Sequence, residues 1–317
     1  MRTIKVEGLK DNKIIDIELS QIMMGSGDFL RKDNMDVAAP ILDEFIANGG
    51  TTFDTARHYR HSELALGTWM KEKNNRDNVV IFTKGCHPVR EFPDTPRVNP
   101  TAIREDIEKS LEMLGTDHVE LFALHRDDIT QEVGPIMEAL NEMIQEGKVY
   151  AIGTSNWETD RIIEANNYAK EKGLRPFTFN SPNLSLAEVN KPRWPGCVTA
   201  DQTMIDFHKE TQMPLLSWSS QAGGFFSGAF APDKLENEEM VDVFYNDNNW
   251  KRFDRAVEMA EKKNVSPIQI SLSFVLNQKF PTAAAIGSER IEELRSSIEG
   301  AKIELNEADV NYLNLED

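Results

Sequence analysis

The 317-residue chain is expected to fold as a closed parallel (β/α)8 barrel of the TIM type, and three observations lead there. Eight short β-branched and aromatic runs alternate with helix-patterned segments from one end of the chain to the other. No composition break or low-complexity linker divides them, so residues 1–317 read as one barrel domain. No G-x-G-x-x-G separates the first strand from its helix, which removes the usual phosphate-binding turn from the runner-up, an open doubly wound sheet.

The elements follow in order. Thr3 to Val6 and Ile14 to Ile17 alternate around a polar turn at Asp11, Asn12 and Lys13, an N-terminal β-hairpin suited to plug one end of the barrel. The first barrel strand, Gln21 to Met24, passes a Gly25-Ser26-Gly27 turn into a helix from Met35 to Asn48, with Val37, Ile41, Phe45 and Ile46 on one stripe. Strand Thr52 to Asp54 precedes helix Ser62 to Lys73, strand Val79 to Thr83 precedes helix Thr101 to Leu114, and strand Val119 to Leu124 precedes helix Val133 to Gln145. Strand Val149 to Gly153 leads to helix Thr159 to Lys172, and strand Phe177 to Ser181 to a helix near Thr203 to Thr211. Strand Leu215 to Ser217 opens a long irregular stretch. Strand Ala283 to Ile286 and helix Ile291 to Gly300 complete the set.

Acidic residues outnumber basic ones by 53 to 35, a formal net charge of −18. That balance argues against a nucleic-acid groove and against docking on an anionic membrane. The two cysteines, Cys86 and Cys197, have no metal-ligand spacing and are too few for a disulfide framework, so they read as reduced thiols in a cytoplasmic protein. No signal-peptide core and no apolar span of about 18 residues is present. No acid and histidine set stands at metal spacing, so no metal is expected.

In a barrel of this kind reactive groups collect at the carboxyl ends of the strands. The second strand ends at Asp54, with Tyr59 in the loop that follows; the third ends at Lys84 and the fourth at His125. Taken singly, Asp54 reads as a turn-former and Tyr59 as a packing residue with a wet hydroxyl. Taken together, they make a coherent set. An ammonium such as Lys84 favours a phenolate, Asp54 would hold that lysine, Tyr59 would protonate a carbonyl oxygen, and His125 would orient it.

These segments resemble the aldo-keto reductase family. Phe53 to Tyr59 is similar to its F-D-T-A-x-x-Y, Ser62 to Gly67 to its S-E-x-x-L-G, Lys84 to the lysine of its T-K, and Leu124 to Arg126 to its L-H-R. The resemblance implies that Tyr59 is the general acid in reduction of a small-molecule carbonyl, Lys84 its modulator, Asp54 the partner of Lys84, and His125 the residue that orients the carbonyl. One departure is the short loop after Tyr59, where Arg60 replaces the usual glycine.

The resemblance also implies an extended nicotinamide dinucleotide across the barrel mouth, beside Gly25 and Ser26. The G-T-S-N-W run at Gly153 to Trp157 is similar to the family's fifth-strand motif, in which Ser155 and Asn156 hydrogen-bond the carboxamide; by themselves they read equally as helix-capping residues. Ser181 and Leu184 stand where the family has glutamine and tyrosine. Trp218 is expected to stack on the nicotinamide, with Ser219, Ser220, Gln221, Gly223 and Gly224 at the pyrophosphate. Gly287, Ser288 and Arg290 precede the last helix and would take the adenosine 2′-phosphate of NADP(H), while Glu289 and Glu293 bring negative charge that would suit NAD(H).

Long loops at the carboxyl face, Cys86 to Asn99, Asn190 to Asp201 and Phe225 to Trp250, are expected to wall the substrate pocket, with Trp194, Phe226, Phe230 and Trp250 lining it. Arg57, Arg60, Arg126 and Asp127 suggest a hydrophilic, sugar-like substrate. Two other classes compete with the reductase. One is a regulatory or redox-sensing subunit that keeps the cofactor site with little turnover. The other is a carboxylate-based barrel isomerase or hydrolase, which lacks its paired acids here.

Overall fold

The computed structural model of the chain describes residues 1–27, 29–59 and 61–316, so the expectation attached to Arg60 lies outside the described residues. Strands β1 (Thr3–Lys10) and β2 (Lys13–Ser20) form the hairpin, longer than expected and closed by only two residues. Asp11 and Asn12 carry φ of +50° and +59°, the left-handed pair of a type I′ turn, whose twist matches the strands it joins. Val6, Ile17 and Leu19 of this hairpin share a core with Met23, Phe82, Leu121, Tyr150 and Phe179, so the hairpin plugs the floor of the barrel.

Eight parallel strands close the barrel. They are β3 (Ile22–Gly25), β4 (Thr52–Asp54), β5 (Val80–Gly85), β6 (Val119–Leu124), β7 (Val149–Ser155), β8 (Phe179–Ser181), β9 (Leu215–Ser217) and β10 (Thr282–Ile286). The helices between them are α1 (Met35–Ala47), α2 (Ser62–Lys73), α3 (Pro100–Leu114), α4 (Val133–Gln145), α5 (Thr159–Lys172) and α6 (Gln202–Thr211). Local chemistry explains their ends: the Asn99 side chain accepts a hydrogen bond from the Ala102 N–H at 3.0 Å and Pro100 sits at the first helical position, while Gly115 closes α3 at φ +67°. Lys84 lies within β5, paired with Ala123 of β6, and does not follow the strand as expected.

The stretch after Ser217 is a correction. It holds α7 (Glu238–Phe244), α8 (Asp247–Lys263) and α9 (Pro267–Leu276) before β10, with α10 (Ile291–Gly300) and α11 (Glu307–Leu313) behind it. Phe226 and Trp250, expected at the substrate pocket, instead join Phe225, Phe244, Tyr245 and Phe253 in an aromatic cluster that pins this loop to α8. Phe230 packs against the same core. Edge-to-face and stacked ring pairs stabilise such a cluster beyond their buried area, and burial there outweighs exposure in a polar mouth.

Candidate active site

The carboxyl ends of the strands surround one cavity of roughly 1570 Å³. Asp54, Tyr59, Lys84 and His125 all line it. The β4 and β5 registers set Asp54 beside Phe82, and the chain after Asp54 runs along β5, with the Arg57 N–H donating to the Lys84 carbonyl at 2.8 Å. That path brings the acid of one strand to the lysine of the next. Lys84 Nζ donates to Asp54 Oδ1 at 2.5 Å and to the Thr55 carbonyl at 3.2 Å, and both charged side chains are almost fully buried.

Burial pushes the Lys84 ammonium down and the Asp54 carboxyl up, and the mutual attraction of the pair opposes both shifts. Lys84 Nζ lies 5.5 Å from the centre of the Tyr59 ring and 4.4 Å from that of Phe82. The His125 ring meets the Tyr59 ring edge-on, centres 5.6 Å apart at 75°.

Two residues that sequence reading did not single out complete this wall. His58 and His87 stack with centres 3.9 Å apart at 3°, and each meets His125 edge-on, at 4.8 Å and 5.1 Å. Burial, followed by the charge of His87, pushes the His58 imidazole down to about 3, and burial also lowers His87 and holds His125 well below its ordinary value. The three rings are therefore neutral at pH 7, hydrogen-bonding groups and not acids. His87 Nδ1 donates to the Pro88 carbonyl at 2.8 Å, an assignment that follows from the carbonyl being acceptor-only.

An acid-stability prediction follows from the sign of these shifts. A histidine depressed in the folded chain binds fewer protons than its unfolded counterpart, so its contribution is present above the ordinary value of 6.5 and lost as pH falls toward about 3. The urea midpoint should fall across that window, and His58→Asn, which cannot charge, should flatten the decline. Parallel midpoint curves for the two proteins would contradict it.

The same cavity is also lined by Gly25, Ser26, Ser155, Asn156, Trp218, Ser219, Ser220, Gln221, Gly223, Gly224, Gly287, Ser288 and Arg290. Ser181 does not reach it: the side chain is fully buried, and its carbonyl accepts the Ser155 hydroxyl at 2.8 Å. Asn156, at φ +62°, spends its amide on the protein, donating to the His125 carbonyl at 3.1 Å and accepting the Val198 N–H at 3.0 Å. It thereby ties the loop after β8 to the His125 strand end. Trp218 Nε1 is a buried donor without a protein partner, and Ser219, Gly223 and Gly224 all have positive φ, which turns the backbone after it tightly.

Arg193 reaches the same turn, donating to Ser219 Oγ at 3.3 Å and to Glu239 at 2.7 Å. Nothing in its local sequence marked it, because the contact joins two loops. Arg290 is engaged by Glu293, with a 2.9 Å bond from Nε, and the other Glu293 oxygen accepts the Glu289 N–H at 3.0 Å. Of the expected hydrophilic rim, Arg126 and Asp127 line the cavity, whereas Arg57 turns toward the buried Glu63 at 3.8 Å. Trp194 lines it as expected, beside Trp218 at 5.9 Å.

Known proteins resemble the chain throughout. Residues 21–315 match the model of the Aldo/keto reductase family. A norsolorinic acid reductase of Aspergillus flavus is 26% identical over 86% of this chain and 70% of its own length. An uncharacterized oxidoreductase of Bacillus subtilis, YrpG, is 25% identical over 94% of this chain and 92% of its own. The solved structure of a thermostable aldo-keto reductase, Tm1743, in complex with the inhibitor epalrestat superposes over the whole of both chains with a TM-score of 0.74 at 18% identity, a likeness of fold.

Proposed function

Since the chain belongs to the aldo/keto reductase family, a family of oxidoreductases, we propose that it reduces a small aldehyde or ketone to the alcohol, with NADP(H) as the hydride donor. The observation that carries this reading is the buried Lys84–Asp54 pair beside the Tyr59 ring, with the His125 ring set against the same phenol.

In this reading Tyr59 gives its proton to the carbonyl oxygen while the carbon is reduced. Lys84 favours the phenolate left behind, and Asp54 keeps the lysine charged and in place. His125, neutral, donates a hydrogen bond to the same oxygen and polarises it. The His58 and His87 rings exclude water from one side of the carbonyl, which strengthens those interactions.

The cavity fits a dinucleotide. Its volume, roughly 1570 Å³, exceeds the roughly 300–1,000 Å³ typical for one drug-sized ligand, which leaves room for substrate as well. At Gly25 a Cβ would stand 2.9 Å from the Ile286 carbonyl, so a larger residue would fill the cradle between β3 and β10. Trp218 offers a ring face, Ser219 to Gly224 with Arg193 would hold the pyrophosphate, and Ser288 with Arg290 the 2′-phosphate. The bound nucleotide would supply the hydride. Two buried free thiols, Cys86 and Cys197, suit the reducing cytoplasm expected for the chain.

Arg290 must exchange Glu293 for the phosphate, so Glu293 opposes NADP(H) while leaving NAD(H) untouched. Glu293→Gln should tighten NADPH over NADH by roughly two- to five-fold, the scale of one charge at an exposed helix start. Fluorescence titration with both nucleotides checks it, and equal wild-type affinities would remove the NADP(H) preference. Failure of the purified protein to oxidise either nucleotide with a broad panel of carbonyls would overturn the reductase reading itself.

A further inference from the structure

Resting on the reductase reading, we infer that the substrate carries an anionic group, a carboxylate or a phosphate, and that Arg126 binds it. Among the described residues, Arg90 stands exposed in solvent, while four cations lining the cavity are matched to a carboxylate: Lys84 to Asp54, Arg97 to Asp106, Arg193 to Glu239 and Arg290 to Glu293. Arg126 has none. Its neighbour Asp127 is turned away to Arg161 at 3.3 Å. In a chain with 53 acids against 35 bases, a half-buried guanidinium that lines the cavity without a carboxylate is suited to an anionic ligand.

The side chain is held in place without being neutralised. Arg126 Nη1 donates to the His125 carbonyl at 2.8 Å and Nη2 to Cys197 Sγ at 3.4 Å. Gly196, at φ +69°, lets the loop close on its stem, since a Cβ there would stand 3.3 Å from Arg126 Cδ. The Asn156 amide fixes both sides of this clasp through the His125 carbonyl and the Val198 N–H. Arg126 lines the cavity, and two bonds leave further donors of its five-donor fork for bidentate binding of an oxyanion.

The placement separates this anion from the cofactor. Arg193, not Arg126, reaches the Ser219 turn expected to hold the pyrophosphate, while Arg126 directly follows His125. Its positive charge is felt by His125, His58, His87 and Lys84, the groups that surround the reacting carbonyl. Exposed Arg90 at the rim adds to the same field, which draws an anion in against the net negative surface.

The test uses matched pairs of aldehydes that differ in charge: succinic semialdehyde against butanal for a carboxylate, glyceraldehyde 3-phosphate against glyceraldehyde for a phosphate. In at least one pair the charged member should have the higher kcat/KM, on the order of 10- to 100-fold, through KM. Arg126→Met should collapse that ratio toward one, and Arg126→Lys should restore part of it. A charged-to-neutral ratio that is the same in wild type and Arg126→Met, or a preference for the neutral member in both pairs, overturns the inference. If no aldehyde is reduced, the reductase reading fails separately. The inference is then read from thermal shifts with succinate and inorganic phosphate at constant ionic strength: stabilisation lost in Arg126→Met supports it, and equal or absent stabilisation in the two proteins overturns it.

Discussion

Replacing Tyr59 by phenylalanine should lower the rate of carbonyl reduction by about 10² to 10⁴ while leaving nucleotide affinity within a few-fold, because a placed general acid contributes on that scale and the ring itself is retained. The ring contacts with His58 and His125, at 4.8 Å and 5.6 Å between centres, do not need the hydroxyl. The fold should therefore survive with a melting temperature close to wild type. Single-turnover reduction beside a nucleotide titration separates the two effects. A rate within ten-fold of wild type would remove Tyr59 as the proton donor and return it to the role of a packing residue.

The second large effect should come from Lys84→Met, which strands the Asp54 carboxylate in a site where both partners are at most 5% exposed. Breaking a buried pair from one side costs about 3–5 kcal/mol, since the remaining charge loses its partner and cannot regain water. Burial already raises the Asp54 carboxyl, and loss of the ammonium raises it further. A carboxyl raised in the folded state holds its proton there longer than in the unfolded chain. The variant should accordingly be most stable in acid and lose stability as pH rises through the folded value. Asp54→Asn combined with Lys84→Met should recover much of the stability, because no charge is left buried, yet no activity, because nothing favours the phenolate. A double-mutant cycle in urea measures the coupling, and additive losses would deny that the pair acts as a unit.

Most of the barrel was legible in the chain because strands and helices are written by local periodicity and caps. The parallel strands, buried on both faces, read as continuous apolar runs, and Asn99-Pro100 and Gly115 mark the ends of α3 in plain sight. The helices after Ser217 carry comparable end signals inside a stretch that lacks a clear apolar period. Ser266-Pro267-Ile268-Gln269 is a capping box with proline at the first position, and Asn246 and Asn264 bracket α8. What hid them is the polar character of α8, whose charged face outweighs a narrow buried stripe of Ala256, Met259 and Ala260.

By itself, the sequence determined the closed barrel, the plugging hairpin and the arrival of Asp54, Tyr59, Lys84 and His125 at one mouth, since each is set by a strand end a few residues away. Only the tertiary structure decided which charges are matched and which are left for a ligand. Arg57 goes to Glu63, Arg290 to Glu293 and Arg193 to Glu239, Arg126 keeps no carboxylate, and His58 finds His87 across the mouth. Arg193 and Glu239 stand 46 positions apart and the two histidines follow different strands, whereas Arg290 and Glu293 are i,i+3 neighbours whose pairing competes with a ligand. Their geometry depends on how each loop closes over the barrel and on what else competes for the same group, and neither quantity has a local signature.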